Sequence, residues 1–530
     1  MKRTRKYFGV IWPILAALYS PIGLYAENMS EIVRGDVYRS LVISAALAVL
    51  VTILCWLIFR ERRMALLVAA GLMLYVFSYG HIYAAMKTVS IGSVVVGRHR
   101  YLFPVMTGLF FLWMYWIWKR DAARQTWYQF LRVMLVILLA FPVYNIITQW
   151  DRAMEAPEIE EGVSRAGILE DSEDYPDIYY IVLDAYGRED VLEVHYDFDN
   201  SEFIAALQAR GFFVAEEARS NYPSTFLSLP SSLNMAYMND LADLHTLEDG
   251  EWWHELMERL RHSEVREILE NEGYAILSYD SGHPFTWIYD ADEFIRPPEN
   301  TTRFNSYETM LIDTTLALFV RDLFVNHSAL EEQIHFPQYE AHRIRITYAF
   351  EALGEIAERP ERTFVFAHII SPHPPFIFNP NGGDIIHDTP FTFLDGSDYP
   401  GSIDEYVQEY PDQLAYINDL VLEAIDEIQH NSEHRPYILI QADHGPGGHL
   451  DWENPSEEGL SERFGILSAF SFPDGDYRAL YPSITPVNSF RVVFNQLLDS
   501  GYPLLEERQY YTRPDNMLLF EEVEFPDPQE

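Results

Sequence analysis

Apolar residues are distributed in two different ways along this chain. Over the first 150 positions they form long runs, which we place at 7–25, 40–59, 64–85, 101–118 and 131–149. A bilayer core takes about 20 mostly apolar residues per helix, so each run predicts a membrane-spanning helix. The first follows "MKRTRK" but continues past any small-residue cleavage site into "LYAENMS", which predicts a retained helix rather than a removed leader. From position 178 the apolar runs are short and rich in β-branched and aromatic residues: "IYYIVLDA", "FFVAEEA", "YAILSYD", "TFVFAHII", "YILIQAD" and "FGILSAFSF". Helical periodicity separates them, near 201–210, 226–238, 252–271, 308–358 and 411–430. Continuous apolar strands alternating with helices predict an α/β domain, its mostly parallel sheet covered by helices on both faces.

The expected organisation is therefore a five-helix transmembrane domain at 1–150, a linker at 151–176 and an α/β domain at 177–530. The linker, "DRAMEAPEIEEGVSRAGILEDSEDYP", is acidic, weakly periodic and bounded by prolines. Short flanks of the apolar runs carry ten basic residues on one side (Lys2, Arg3, Arg5, Lys6, Arg60, Arg62, Arg63, Lys119, Arg120, Arg124). Five lie on the other (Arg34, Arg39, Lys87, Arg98, Arg100). The ten should face the cytoplasm. An odd number of spans then puts everything after Trp150 outside it, in a multi-pass cell-membrane protein.

Charge sharpens the division. Residues 1–150 hold 16 Lys+Arg and 5 Asp+Glu, a net of +11, whereas the other 380 hold 21 against 75, a net of −54. All four lysines (Lys2, Lys6, Lys87, Lys119) lie in the first part. So acidic a domain repels polyanions and excludes nucleic acid as a partner. The single cysteine, Cys55, lies in an apolar run, which excludes a disulfide framework, a Cys-rich metal site and a cysteine nucleophile in the acidic part.

Ligands of parallel sheets bind beyond the carboxyl ends of the strands. There "IYYIVLD" ends at Asp184, "TFVFAH" at His368 with His373 following in "SPHPP", and "YILIQADH" at Asp443 and His444. One terminal Asp is ordinarily a cap or turn residue; three strands ending in carboxylates and imidazoles point to a site for a divalent cation, Mn, Zn or Mg. "SNYPSTFLSLPSSLNM" adds a hydroxyl nucleophile, since Pro223 followed by Ser224 and Thr225 opens a helical pattern, and helix N-termini favour anions. The glycines of "ADHGPGG" are expected to let backbone approach a substrate.

Together these residues resemble the alkaline phosphatase superfamily in its sulfatase-like, membrane-bound branch, with lipoteichoic acid synthases and lipid A phosphoethanolamine transferases. The resemblance rests on Asp184 closing the first strand, Thr225 in "TFLSLPSS", and Asp443-His444-Gly445 after a late strand, in the family's order. It implies five membrane helices before an extracytoplasmic alkaline phosphatase-like catalytic domain. It also implies one or two divalent cations held by Asp184, Thr225, Asp443 and His444, with Thr225 as catalytic nucleophile. His373 resembles the family's substrate-side histidine. His368, His449 and Arg463 are further substrate-side candidates, His449 also for a second metal and Arg463 for phosphate or an ordinary ion pair. His195, His283, His387 and His434 have no supporting context.

The expected activity is transfer of a phosphoglycerol- or phosphoethanolamine-type headgroup from a phospholipid to an extracytoplasmic glycan or lipid, through a phospho-threonine. A phosphodiesterase or phosphatase, and a non-catalytic glycan-binding membrane protein, are the alternatives. Sulfatase chemistry is disfavoured, because "SLPSS" places Ser232 where the sulfatase motif has Arg. A transporter is disfavoured by the lack of an evident charge pair within the spans.

Overall fold

The computed structural model of the protein describes residues 11–29, 34–87, 89–91, 94–148, 175–241, 251–298, 305–325, 337–385 and 391–525. All but the last two linker residues, the four basic residues before the first span, and His387 lie outside that set. The chain forms two compact units, Met1–Glu158 with Thr302–Gln338, and Ile159–Thr301 with Tyr339–Glu530.

In the first unit the apolar runs form α1 (Ile11–Glu27), α2 (Arg34–Phe59), α3 (Arg62–Met86), α4 (His99–Lys119) and α5 (Asp121–Thr148). Among the described residues, four helices are long and apolar enough to cross a membrane, namely α2 to α5. Helix α1 has 17 described residues and packs on α2, α3 and α5. Helix α3 is the most enclosed, burying Met64, Leu67, Ala69 and Met73. In contrast, Val42, Leu112, Phe141 and Ile147 are each about two-thirds exposed. Leaving such side chains in water costs about 25 cal/mol per Å² of apolar area, so this exterior suits lipid. A short antiparallel ribbon, β1 (Ser90–Ile91) with β2 (Val94–Val95), lies between α3 and α4.

The sequence assigned 302–338 to the α/β domain, within one long helical region at 308–358. The structure has separate helices there, Ser306–Thr314, Ala317–Val325 and Pro337–Ile356, and the first two belong to the membrane-type unit. Long-range polar contacts place the first: Tyr307 Oη donates to the Pro21 carbonyl (2.7 Å), Asn305 Nδ2 donates to Asp36 O (3.0 Å), and Arg39 pairs with Glu308. None of these pairings is local, so helical periodicity carried no trace of them.

The second unit holds a seven-stranded sheet: β3 (Ile178–Leu183), β4 (Phe213–Val214), β5 (Ala275–Tyr279), β6 (Glu293–Ile295), β7 (Thr363–Ile369), β8 (Tyr437–Gln441) and β9 (Ser468–Ser471). Its order is β4-β9-β8-β3-β7-β5-β6, and every pairing is parallel except those of β9 with its two neighbours. The central strands β3, β7 and β8 are buried at every position, which accounts for their unbroken apolar sequences. A separate hairpin, β10 (Gln509–Arg513) with β11 (Asn516–Val523), and the edge strand β6 carried too little apolar patterning to be anticipated. The expected helix at 252–271 is two, Glu251–Arg261 and Glu264–Asn271, divided at Ser263, whose side chain accepts from Arg266 N and starts the second.

Register positions the site. Val182 lies opposite His368 on one side and Gln441 on the other. In parallel strands this brings Asp184, two residues on, to the level of Asp443, while Asp184 N–H donates to Ile369 O at 3.0 Å.

Candidate active site

Asp184, His368, Asp443 and His444 converge at the carboxyl ends of β3, β7 and β8, all at most 4% exposed. His373 joins them from the loop after β7, where its backbone N–H donates to Asp184 O (3.0 Å). Opposite stands Thr225, the first residue of the helix Thr225–Asn234, with extended Ser224 at the N-cap position making no side-chain capping bond.

His444 Nε2 is the hub. It lies 3.3 Å from Asp184 Oδ1, 3.6 Å from Asp443 Oδ2, 3.4 Å from Thr225 Oγ1 and 3.3 Å from Arg463 Nη2. Its other nitrogen, Nδ1, lies 3.0 Å from the Gly445 carbonyl. A carbonyl only accepts, so Nδ1 carries the proton and Nε2 presents its lone pair to the carboxylates and the Thr225 hydroxyl. His368 is fixed in the same sense. Thr286 Oγ1 donates to His283 O (3.2 Å) and accepts from His368 Nδ1 (3.0 Å), leaving Nε2 at 3.3 Å from Asp184 Oδ2. Buried lone pairs facing carboxylate oxygens are unfavourable without a positive charge between them.

Four buried atoms here lack a hydrogen-bond partner: Asp184 Oδ1, His368 Nε2, Asp443 Oδ2 and Asp395 Oδ1. One ligand atom each from Asp184, His373 and His444, and likewise from Asp184, His368 and Asp443, fall within 4.8 Å of one another. Three carboxylates are buried, yet among the described residues lining the cavity Arg463 is the sole Lys or Arg. Negative charge is left over, and a divalent cation fits both that balance and the donor set. Burial raises the Asp184 carboxyl, and positive charge facing it, from His373 first and from His368 and His444 when these rings are protonated, outweighs burial and holds it well below the usual range. For His444, burial and then the Arg463 guanidinium favour the neutral ring a cation requires.

Arg463 is more committed than an anticipated phosphate contact. From the helix Glu457–Phe464 it donates through Nε to Pro223 O (2.7 Å) and through Nη1 to Gly445 O (3.2 Å), and pairs with Asp395. It thereby ties the segment before Thr225 to the Asp443-His444 loop. Asp395 itself was missed by sequence reasoning, because "TFLDGSDYP" carries no motif. Burial raises its carboxyl, and Arg463 followed by His373 overcomes this and lowers it. His373 Nε2 stands 3.8 Å from Asp395 Oδ2, its Nδ1 against Pro374 O.

The glycines serve a different purpose from the one expected. A Cβ on Gly445 would meet Glu462 O at 2.2 Å, and one on Gly447 the Asp395 carboxylate at 2.9 Å. The close approach is therefore to the protein's own groups. His449 is set apart from the Asp184 cluster, its Nδ1 3.3 Å from Glu462 and its ring 5.3 Å from that of His195. The cavity itself has about 170 Å³ of free volume. Beyond the polar cluster it is walled by Phe226, Phe393, Trp452 and Met517, and by His283, which burial and then His368 push down to about 4.

The chain is similar to the C-terminal periplasmic domain of EcEptC from Escherichia coli in complex with Zn: 12% identity, TM-score 0.40, covering 67% of this chain and 94% of that one. It is similar to the integral membrane lipooligosaccharide phosphoethanolamine transferase A of Neisseria meningitidis, at 12% identity and TM-score 0.36 over 91% and 95% of the two chains. The soluble domain of that transferase is also similar, at 12% identity and TM-score 0.34 over 62% and 89%. No protein-family model matches the chain, and neither does any curated protein. At such identities the function must be read from the residues of the site.

Proposed function

We propose that the protein is a membrane-anchored, metal-dependent phosphotransferase. It moves a phospho-alcohol headgroup from a phospholipid to an extracytoplasmic glycan or lipid through a phospho-threonine at Thr225. The observation that carries this reading is Thr225 Oγ1 at the start of a helix, 3.4 Å from His444 Nε2, facing buried Asp184 and Asp443.

Asp184, Asp443, His444 and the Thr225 oxygen would hold the cation. When bound, it lowers the pKa of a hydroxyl and neutralises charge on a transferring phosphoryl group. Thr225 Oγ1, its proton released to solvent, attacks phosphorus as the alkoxide; the bond from phosphorus to the departing alcohol oxygen breaks, the threonine oxygen becomes the new ester link, and it departs as the same alkoxide in the second half. The alcohol leaves with a proton; His373 supplies it, with the Asp395 carboxylate stabilising the imidazolium. In the second half the acceptor hydroxyl attacks the phospho-threonine, gives its proton back to His373, and regenerates Thr225. Asp395 and Arg463 act as positioning residues, fixing His373 and His444. The apolar wall of Phe226 and Phe393 limits entry of competing water.

Incubation of the full chain in detergent with a phospholipid mixture and Mn or Zn, followed by intact and peptide mass spectrometry, tests this. An adduct on the Thr225 peptide, absent from Thr225→Ala, is expected, and its mass names the headgroup. Release of headgroup without any acceptor would favour the hydrolase alternative. Intact lipids and no adduct under either metal would refute the assignment.

A further inference from the structure

Outside the cavity, His449, a candidate for a second metal from the sequence, meets two further potential ligands that the sequence did not single out. His195 lies in the last turn of the helix Glu189–Tyr196, His449 in the loop after Asp443-His444, and Glu458 in the first turn of the helix Glu457–Phe464. One ligand atom from each lies within 4.8 Å of the others. None of the three lines the cavity. We propose that His195, His449 and Glu458 form a second cation site, for a borderline divalent ion of the zinc class.

The support beneath His449 separates this cluster from a chance surface pairing. Glu462, fully buried, accepts the His449 backbone N–H at 2.8 Å through one oxygen and faces His449 Nδ1 at 3.3 Å with the other, which also takes the Tyr196 hydroxyl. A buried carboxylate on one nitrogen of an imidazole fixes the tautomer and raises the basicity of the other, the arrangement found behind metal-bound histidines. His449 Nε2 is then the lone-pair atom left for a ligand. His195 Nδ1 lies 3.7 Å from Glu458 Oε1. Two imidazoles and a carboxylate suit zinc-class ions better than magnesium or calcium. A simple ion pair explains the group less well, since protonating both rings would set two positive charges against each other. Tetrahedral zinc with bonds of about 2.0–2.1 Å needs ligand atoms roughly 3.4 Å apart. Small side-chain rotations by exposed Glu458 and half-buried His449 would close the difference, leaving a fourth position open to water. Because Glu462 precedes Arg463, an ion here would also brace the helix whose arginine holds Asp395 and His444.

The test is zinc titration of the chelator-stripped full chain in detergent, read by metal analysis and a competing chromophore. Wild type is expected to bind one equivalent more than His195→Ala. Glu458→Gln, at an exposed position that cannot compromise folding, should weaken that equivalent about tenfold or more. The double variant Asp184→Asn/Asp443→Asn should keep it, with X-ray absorption reporting two imidazoles around the remaining zinc. Equal stoichiometry and affinity in wild type and Glu458→Gln would overturn the proposal. Loss of zinc only in the Asp184/Asp443 variant would overturn it while leaving the catalytic reading intact; retention of the His195 equivalent without any Thr225 adduct would do the reverse.

Discussion

Arg463 gives the most demanding test of how the site is held together. Its side chain is 3% exposed and that of its partner Asp395 5%, so substitution to Met removes the positive charge while nearly preserving volume. What remains is a buried carboxylate without its guanidinium and a Pro223 carbonyl without its donor, while the Gly445 carbonyl keeps only the His444 Nδ1–H. Removing one member of a buried pair costs about 3–5 kcal/mol, most of it for the charge left behind. At roughly 2 °C per kcal/mol for a large domain, melting should fall by about 6–10 °C. The assay is thermal denaturation of the detergent-solubilised chain by circular dichroism, at fixed zinc so that ligand stabilisation is constant. Because the penalty is mainly desolvation of an orphaned charge, Arg463→Met/Asp395→Asn should recover a substantial part of the loss. The exposed pair Arg478–Asp476 is the control, with Arg478 90% exposed, and Arg478→Ala should leave melting unchanged. If Arg463→Met behaves like that control, or the double variant is no better than the single, the pair is not the brace described.

Thr225→Ala should lower turnover by at least about a thousandfold and abolish the covalent adduct, while Thr225→Ser keeps a measurable fraction of both, as read by headgroup transfer. Asp184→Asn and Asp443→Asn should each release the active-site metal, measured by metal analysis after dialysis, and excess metal should restore activity only in part. Buried His342, pushed down to about 3 by burial and then Arg345, stays neutral when folded. The unfolded chain protonates it below about 6.5, so acidification through that window toward 3 costs stability, at up to about 1.4 kcal/mol per pH unit. Melting of His342→Gln should therefore fall less steeply than wild type between pH 6 and 4, and parallel curves would contradict the assignment.

What the sequence determined is what short-range pattern and chemistry encode. Strands buried on both faces must be continuously apolar, so β3, β7 and β8 were legible, and so were Asp184, His368, Asp443 and His444 at their ends. Thr225 was legible as the start of a helix. The membrane helices were equally visible, because each apolar run is longer than any soluble strand needs. Parallel register, which only the sheet sets, brought those ends into one cluster. Tertiary structure alone chose Asp395 as the partner of Arg463, 68 positions away, and turned His449 toward His195 and Glu462 instead of the Asp184 cluster. It also gave 302–338 to the membrane-type unit, through Tyr307, Asn305 and Glu308 reaching α1 and α2. Such pairings join loops and helix ends, where no periodicity marks which side is buried, and their energy exists only once chain closure has brought distant charges out of water together.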